Sequence, residues 1–273
     1  MKQNLTTKQL RNNILKDLKK VSSNERAIGS QRFFKTGKGE YGQGDLFIGI
    51  RTPEIRRISK RYLEYLNLEN LDFFLHNKIH EYRLFALITL TYMYHRTGSI
   101  NDCSKRKEQR EKIYNYYLEN RRWINNWDLV DVSAPKIVGE FLKDKGREEG
   151  KRKERDILYN LVKSDNLWDQ RIAIVSTYIF IRDGDFKEIL EFSKLVINNE
   201  NNEHDLIHKA LGWMLREVGK KDVGVLKTFL DDYANKMPRT MLRYSIERLN
   251  EKERKKYLNM KMETKHIDFR RKF

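Results

Sequence analysis

The sequence predicts an all-α fold made of repeated helix pairs, and three observations carry that reading. Apolar residues recur at helical spacing along nearly the whole chain. Only Pro53, Pro135 and Pro238 are present, few for a mixed or β-rich fold of 273 residues, and no stretch alternates apolar and polar residues as a half-buried strand does. Related segments also return at regular intervals. Tyr82-Arg83-Leu84-Phe85-Ala86, Gln170-Arg171-Ile172-Ala173 and His208-Lys209-Ala210-Leu211 each put a basic residue at the start of an apolar helix. Arg83 and Arg171 are 88 residues apart, room for two repeats averaging 44; Arg171 to Lys209 is 38, and Trp127 to Trp168 is 41. HEAT-like repeats of about 40–47 residues fit these intervals. The expected architecture is a right-handed solenoid of such repeats with a concave basic face.

In chain order, the first stripe is Leu10, Ile14, Leu15 and Leu18. Ile55, Ile58, Tyr62, Leu63 and Leu66 form the next, with Thr52-Pro53 as an N-cap and first-turn pair. Leu84, Leu87, Ile88, Thr91 and Tyr92 follow, then Ile113, Tyr117 and Leu118, then Ile137, Val138, Phe141 and Leu142. The second half repeats the pattern from Ile157, Leu158 and Leu161 to Leu242, Ile246 and Leu249, for about a dozen helices in all. Three segments break it: the glycine-rich stretch 36–45 reads as a loop, 97–104 as a polar connection, and 144–153 as a loop or frayed helix end. None resembles a Pro/Ser-rich linker, so residues 1–250 are expected to form one repeat domain and 251–273 a basic tail, with nine Lys/Arg against four Asp/Glu.

Charge narrows the partners. Lys and Arg number 56 against 39 Asp and Glu, a net charge of +17, which draws polyanions such as DNA, RNA or an anionic membrane surface. The blander source of that charge is a Lys- and Asn-rich composition. One cysteine, Cys103, excludes a disulfide framework and a cysteine-rich zinc site. No run of 18 apolar residues spans a membrane, and the first residues lack the apolar stretch of a secretory signal, so a cytoplasmic location is expected, nucleoid-associated if the source is bacterial. The six histidines show no ligand spacing; His204 and His208 are four apart without an evident third partner.

Three tryptophans sit in polar segments. In Asn125-Asn126-Trp127-Asp128-Leu129-Val130-Asp131, either asparagine can cap a helix, and Trp127 and Asp131 then share a face one turn apart. An aromatic plane beside a carboxylate can pack on a sugar and stabilise a growing positive charge. The same spacing also describes a core tryptophan with a capping aspartate. Pro135 bends that helix or opens a second one. In Ser164-Asp165-Asn166-Leu167-Trp168-Asp169-Gln170-Arg171, Arg171 could hold a phosphate in bidentate fashion or pair with Asp169 or Asp131. In Lys209-Ala210-Leu211-Gly212-Trp213-Met214-Leu215-Arg216-Glu217, Gly212 allows close approach of another helix or of DNA, and Trp213 and Arg216 share a face. By themselves, helical repeats more commonly serve as protein-binding scaffolds.

Together these segments, with the early motif Phe47-Ile48-Gly49-Ile50-Arg51-Thr52-Pro53-Glu54, resemble the AlkD-type DNA alkylation repair glycosylases over roughly residues 25–250. The resemblance implies a hydrolase that cleaves the N-glycosidic bond of positively charged N3- and N7-alkylated purines in duplex DNA, such as 3-methyladenine and 7-methylguanine, without flipping the base and without a cofactor or metal. It implies that Asp131 is the catalytic carboxylate and that Trp127 and Trp213 pack against the deoxyribose. Arg171 is then the arginine of the catalytic cleft, while Arg216 and Lys209 are expected at the DNA backbone. Phe33 stands about where compact members carry a tyrosine near the DNA, so a hydroxyl contact is missing there. Double-stranded DNA with alkylated purines is the expected partner of a monomer with no membrane role. A noncatalytic repeat protein that binds damaged or branched DNA shares the charge and the fold.

Overall fold

The structure is a computed structural model, and it describes residues 6–149, 155–199 and 204–261. It is all-helical: among the described residues there are sixteen α-helices and no strand, only an isolated bridge between Leu46 and Ile79. The chain divides into two compact units, residues 1–157 and 158–273.

The first unit begins with α1 (Thr7–Lys20), started by a capping box in which the Thr6 hydroxyl accepts from the Gln9 amide and Gln9 answers back to the Thr6 amide. It continues through α2 (Asn24–Phe33), α3 (Thr52–Tyr62), α4 (Leu68–Leu75), α5 (His80–Arg96), α6 (Cys103–Glu119), α7 (Trp127–Ala134) and α8 (Glu140–Glu149). The stretch 36–45 is an irregular loop of turns. The next helix does not use Thr52 as its cap: Thr52 is the first helical residue, and Arg51 occupies the cap without a side-chain hydrogen bond. The centre of the unit is α5, against which α3, α4, α6 and α7 pack. Its residues 83–91 are buried on every side, so an apolar stripe understates it. Such all-round burial belongs to a core helix. A five-residue π-helical turn, Pro135–Gly139, joins α7 to α8, because Pro135 has no N–H to continue the ordinary ladder. The helix beyond it runs to Glu149, so the first part of segment 144–153 is helical; residues 150–154 lie outside the described residues.

The second unit holds α9 (Asp156–Val162), whose first residues precede the division, then α10 (Leu167–Ser176), α11 (Tyr178–Arg182) and α12 (Lys187–Asn198). After these come α13 (Asp205–Lys221), α14 (Val223–Tyr233), α15 (Arg239–Ser245) and α16 (Glu251–Leu258). Here α13 is the centre, touched by α10, α11, α12, α14 and α15. A Cβ on Gly212 would lie 2.5 Å from the Cβ of Tyr244 and 2.6 Å from the Met241 carbonyl oxygen. The glycine thus brings the backbones of α13 and α15 together, which settles its use in favour of a neighbouring helix. The first eight residues of the expected tail form α16, with Tyr257 buried; residues 262–273 lie outside the described residues.

Candidate functional site

The start of α7 is the most heavily built place in the first unit. Asn126, fully buried, caps the helix by accepting from the Trp127 amide at 2.8 Å. Trp127 and Asp131 stand one turn apart on α7, and both side chains are half-buried. Trp127 is backed by other rings. Phe34 stacks on it at 5.2 Å and on Phe47 at 5.0 Å, and Phe33 meets it edge-on at 5.8 Å. Phe33 itself is 65% exposed. Phe47 in turn stacks on the His80 imidazole at 4.6 Å.

Beneath these rings lies a buried charge network. His80, the first residue of α5, faces Asp45 through Nδ1 at 3.2 Å and Asp128 through Nε2 at 2.8 Å. Arg83 donates to the other Asp45 oxygen at 2.6 Å, and the Asn126 amide donates to Asp45 at 3.2 Å. Burial alone would pull the His80 pKa down. The Asp128 carboxylate and the hydrogen bonds to Asp128 and Asp45 outweigh it and push the value up to about 9, so the ring is an imidazolium at neutral pH. The Asp45 carboxyl is buried too, yet the His80 hydrogen bond and the Arg83 charge hold it below the usual carboxylate range. The next residue, Glu81, accepts from the backbone amides of Ile48, Gly49 and Ile50. Gly49 has φ +72°, and a Cβ there would lie 2.1 Å from the Ser23 carbonyl oxygen. This explains the glycine of the early motif: it lets successive N–H groups converge on one carboxylate.

The remaining candidates belong to the second unit. Trp213 lies half-buried on α13, and its indole N–H donates to Glu217 one turn on, at 3.2 Å. Glu217 also takes the Lys220 ammonium at 2.7 Å. Arg216 is paired with Glu247 and approaches Glu217 at 3.9 Å. Lys209 is paired with Asp205 at 2.6 Å. Arg171 is only 5% exposed and donates to the Leu206 carbonyl at 2.7 Å, tying α10 to the start of α13. Each of the three cations therefore has a protein partner.

The buried network around His80 was not among the sequence candidates. Its one local trace is the run His80-Glu81-Tyr82-Arg83, which puts His, Glu and Arg at the start of a helix whose residues 84–94 carry no charged side chain. No group of three or more His, Cys, Asp or Glu among the described residues could hold a metal ion, and no helix among them is long and apolar enough to cross a membrane.

Fold and site together define an all-helical, strongly basic protein carrying a tryptophan and an acid half-exposed at a helix start. The particular family follows from comparison. The chain matches the DNA alkylation repair enzyme family over residues 14–249, and it belongs to that family, which implies DNA as its partner. A solved structure described as a predicted DNA alkylation repair enzyme from Enterococcus faecalis is similar to it, with a TM-score of 0.60 and 18% identity, covering 84% of this chain and 97% of that one. A likeness at that identity speaks for the fold alone. A search of curated proteins finds no match.

Proposed function

We propose that the protein is a DNA glycosylase that releases N3- and N7-alkylated purines from duplex DNA. The observation that carries this is the Trp127–Asp131 pair on α7, accessible and ring-backed, in a member of a DNA alkylation repair family. Alkylation makes the purine cationic, so the C–N glycosidic bond breaks with its electron pair going to the base, which leaves neutral. A sugar with oxocarbenium character remains. The Asp131 carboxylate stabilises that positive charge and positions the water that adds to the anomeric carbon, taking up its proton. The Trp127 ring packs on the deoxyribose, and its π face favours the developing cation. The same reading gives Trp213 the second sugar-packing role and Phe33 an apolar contact with the DNA. Arg171 acts as a fixed positive charge of the cleft, and Arg216 and Lys209 as backbone contacts that exchange a carboxylate partner for phosphate. No base pocket is required, so bulky adducts are tolerated.

The test is release of free methylpurine from a duplex carrying 7-methylguanine or 3-methyladenine, separated from the DNA by chromatography. The wild-type protein releases the base; a protein that binds the same duplex and yields no free base is a noncatalytic reader of damaged DNA instead. Trp127→Ala and Trp213→Ala each slow release, and unchanged rates in both would remove the sugar-packing role.

A further inference from the structure

His80 is closed off from anything that binds at the surface. Its side chain is 2% exposed, with the Phe47 ring stacked on it at 4.6 Å and the Phe34 ring tilted against it at 5.0 Å. The charged groups that act on it come from three elements: Asp45 from the loop 36–45, Asp128 from α7 and Arg83 from its own helix. An imidazolium has two N–H groups, and each has an acceptor here, Asp45 at Nδ1 and Asp128 at Nε2. A neutral imidazole has one. Loss of the proton therefore turns a lone pair towards one of the two carboxylates, whichever tautomer forms.

Both contacts lead to the first turn of α7. Asp128 is the second residue of that helix, next to Trp127 and three before Asp131. Its other oxygen, Oδ1, is buried and has no hydrogen-bond partner among the described residues. Asp45 accepts from Asn126 Nδ2 at 3.2 Å, and Asn126 in turn caps α7 by accepting from the Trp127 amide at 2.8 Å. Phe34 adds a third path, because it lies against both the His80 ring and the Trp127 ring. A helix start released from such ties frays, and Trp127 then leaves its place relative to Asp131 one turn on.

We propose that His80 is a positioning residue for base release: as an imidazolium it fixes the first turn of α7, through Asp128 and through Asp45 and Asn126, and so holds the Trp127 ring where it works with Asp131. The role rests on the glycosylase reading above. It makes the rate depend on a group that the DNA does not touch. A cation that served stability alone would leave the rate of the folded protein unchanged, whereas misplacing a reacting group by about 1 Å can cost about 100-fold. The His80 pKa is raised to about 9, so release is complete at neutral pH and falls as pH rises through that value.

The test is single-turnover release of 7-methylguanine from about pH 7 to 10, with enzyme saturating the duplex and each protein folded by circular dichroism. Wild type slows about tenfold between about pH 8 and 10 as the imidazolium is lost. His80→Gln keeps one amide donor in place of two N–H groups; at neutral pH it is at least about tenfold slower than wild type, and it lacks that fall. A wild-type rate for His80→Gln at neutral pH, or the same fall in both proteins, overturns the proposal. If His80→Gln does not fold, Asn126→Ser takes its place: serine still caps the helix but has no amide for Asp45. That variant is also slowed about tenfold, and wild-type release by it overturns the proposal. A second readout needs no base release. In protein labelled with fluorotryptophan, the Trp127 fluorine resonance, assigned by its absence from Trp127→Phe, is sharp at neutral pH and broadens as pH passes through about 9. A resonance of constant width overturns the proposal. A wild type that shows this broadening and releases no base defeats the glycosylase and leaves His80 as the residue that sets Trp127.

Discussion

The two tryptophans of the proposed site are held in opposite ways. Trp127 starts a helix whose cap, neighbouring rings and underlying charges are locked together: Asn126, Phe34 and Phe47, then the imidazolium of His80 between Asp45 and Asp128. Trp213 lies along the middle of α13 and has one polar tie, to Glu217 on its own helix. The difference teaches where precision is built. A side chain at a helix start is aimed by whatever fixes that start, so contacts far away in sequence are needed. A side chain in a helix interior inherits its direction from the helix and needs little more. The ties around Trp127 reach segments far apart in sequence, whereas the polar tie of Trp213 lies within one helical turn.

The largest effect expected from breaking this contrast is in the buried network. His80→Ala strips Asp45 and Asp128 of their shared cation and should cost about 3–5 kcal/mol of unfolding free energy in urea titrations. If the loss is under about 1 kcal/mol, the network does not hold the start of α7.

Next comes pH. The His80 pKa is raised to about 9 in the folded protein from an ordinary 6.5, so its contribution is complete below pH 6.5 and lost as pH rises through 9. On the order of 3 kcal/mol should disappear across that window, and it should be absent from the same titration of His80→Gln. Asp45 acts in the other direction: its lowered pKa contributes stability above about pH 4 that is lost in acid.

Gly212→Ala tests the second unit through packing. The new methyl has no room against Tyr244 and Met241, and the expected cost is about 1–3 kcal/mol in thermal unfolding. Smallest is Glu217→Gln, which keeps an acceptor for the Trp213 indole and loses the partly exposed Lys220 pair and the longer approach of Arg216; a change under about 1 kcal/mol is expected. A large loss there would mean that Trp213 depends on Glu217 as Trp127 depends on its network.

The same contrast explains what could be read from the sequence. Helix spacing at Leu10, Ile14 and Leu18 or at Leu211 and Leu215 is local, and these residues are buried as expected. The Trp127–Asp131 spacing is local too, and both lie on one helix as expected. The His80 network was not legible, because Asp45 and Asp128 lie 35 and 48 residues away and no spacing rule links them. The Thr52 cap failed for a similar reason: Thr and Pro suit a helix start, but the chain enters α3 one residue earlier, from Arg51. The number of helices was underestimated because α4 and α16 have about two turns each, too few to show a period, and α11 was read as one stripe with α10. The pairing of Arg216 with Glu247 and Lys209 with Asp205 was not foreseen either, since a basic residue in a motif gives no sign of which acid faces it.

The central claim is that Asp131 performs chemistry at a site whose binding surface is otherwise complete. Single-turnover release of 7-methylguanine by Asp131→Asn, measured beside duplex affinity, tests it most directly. The expected result is a rate at least about 100-fold below wild type with a Kd for the duplex within about threefold. An asparagine variant that releases the base at the wild-type rate would contradict it.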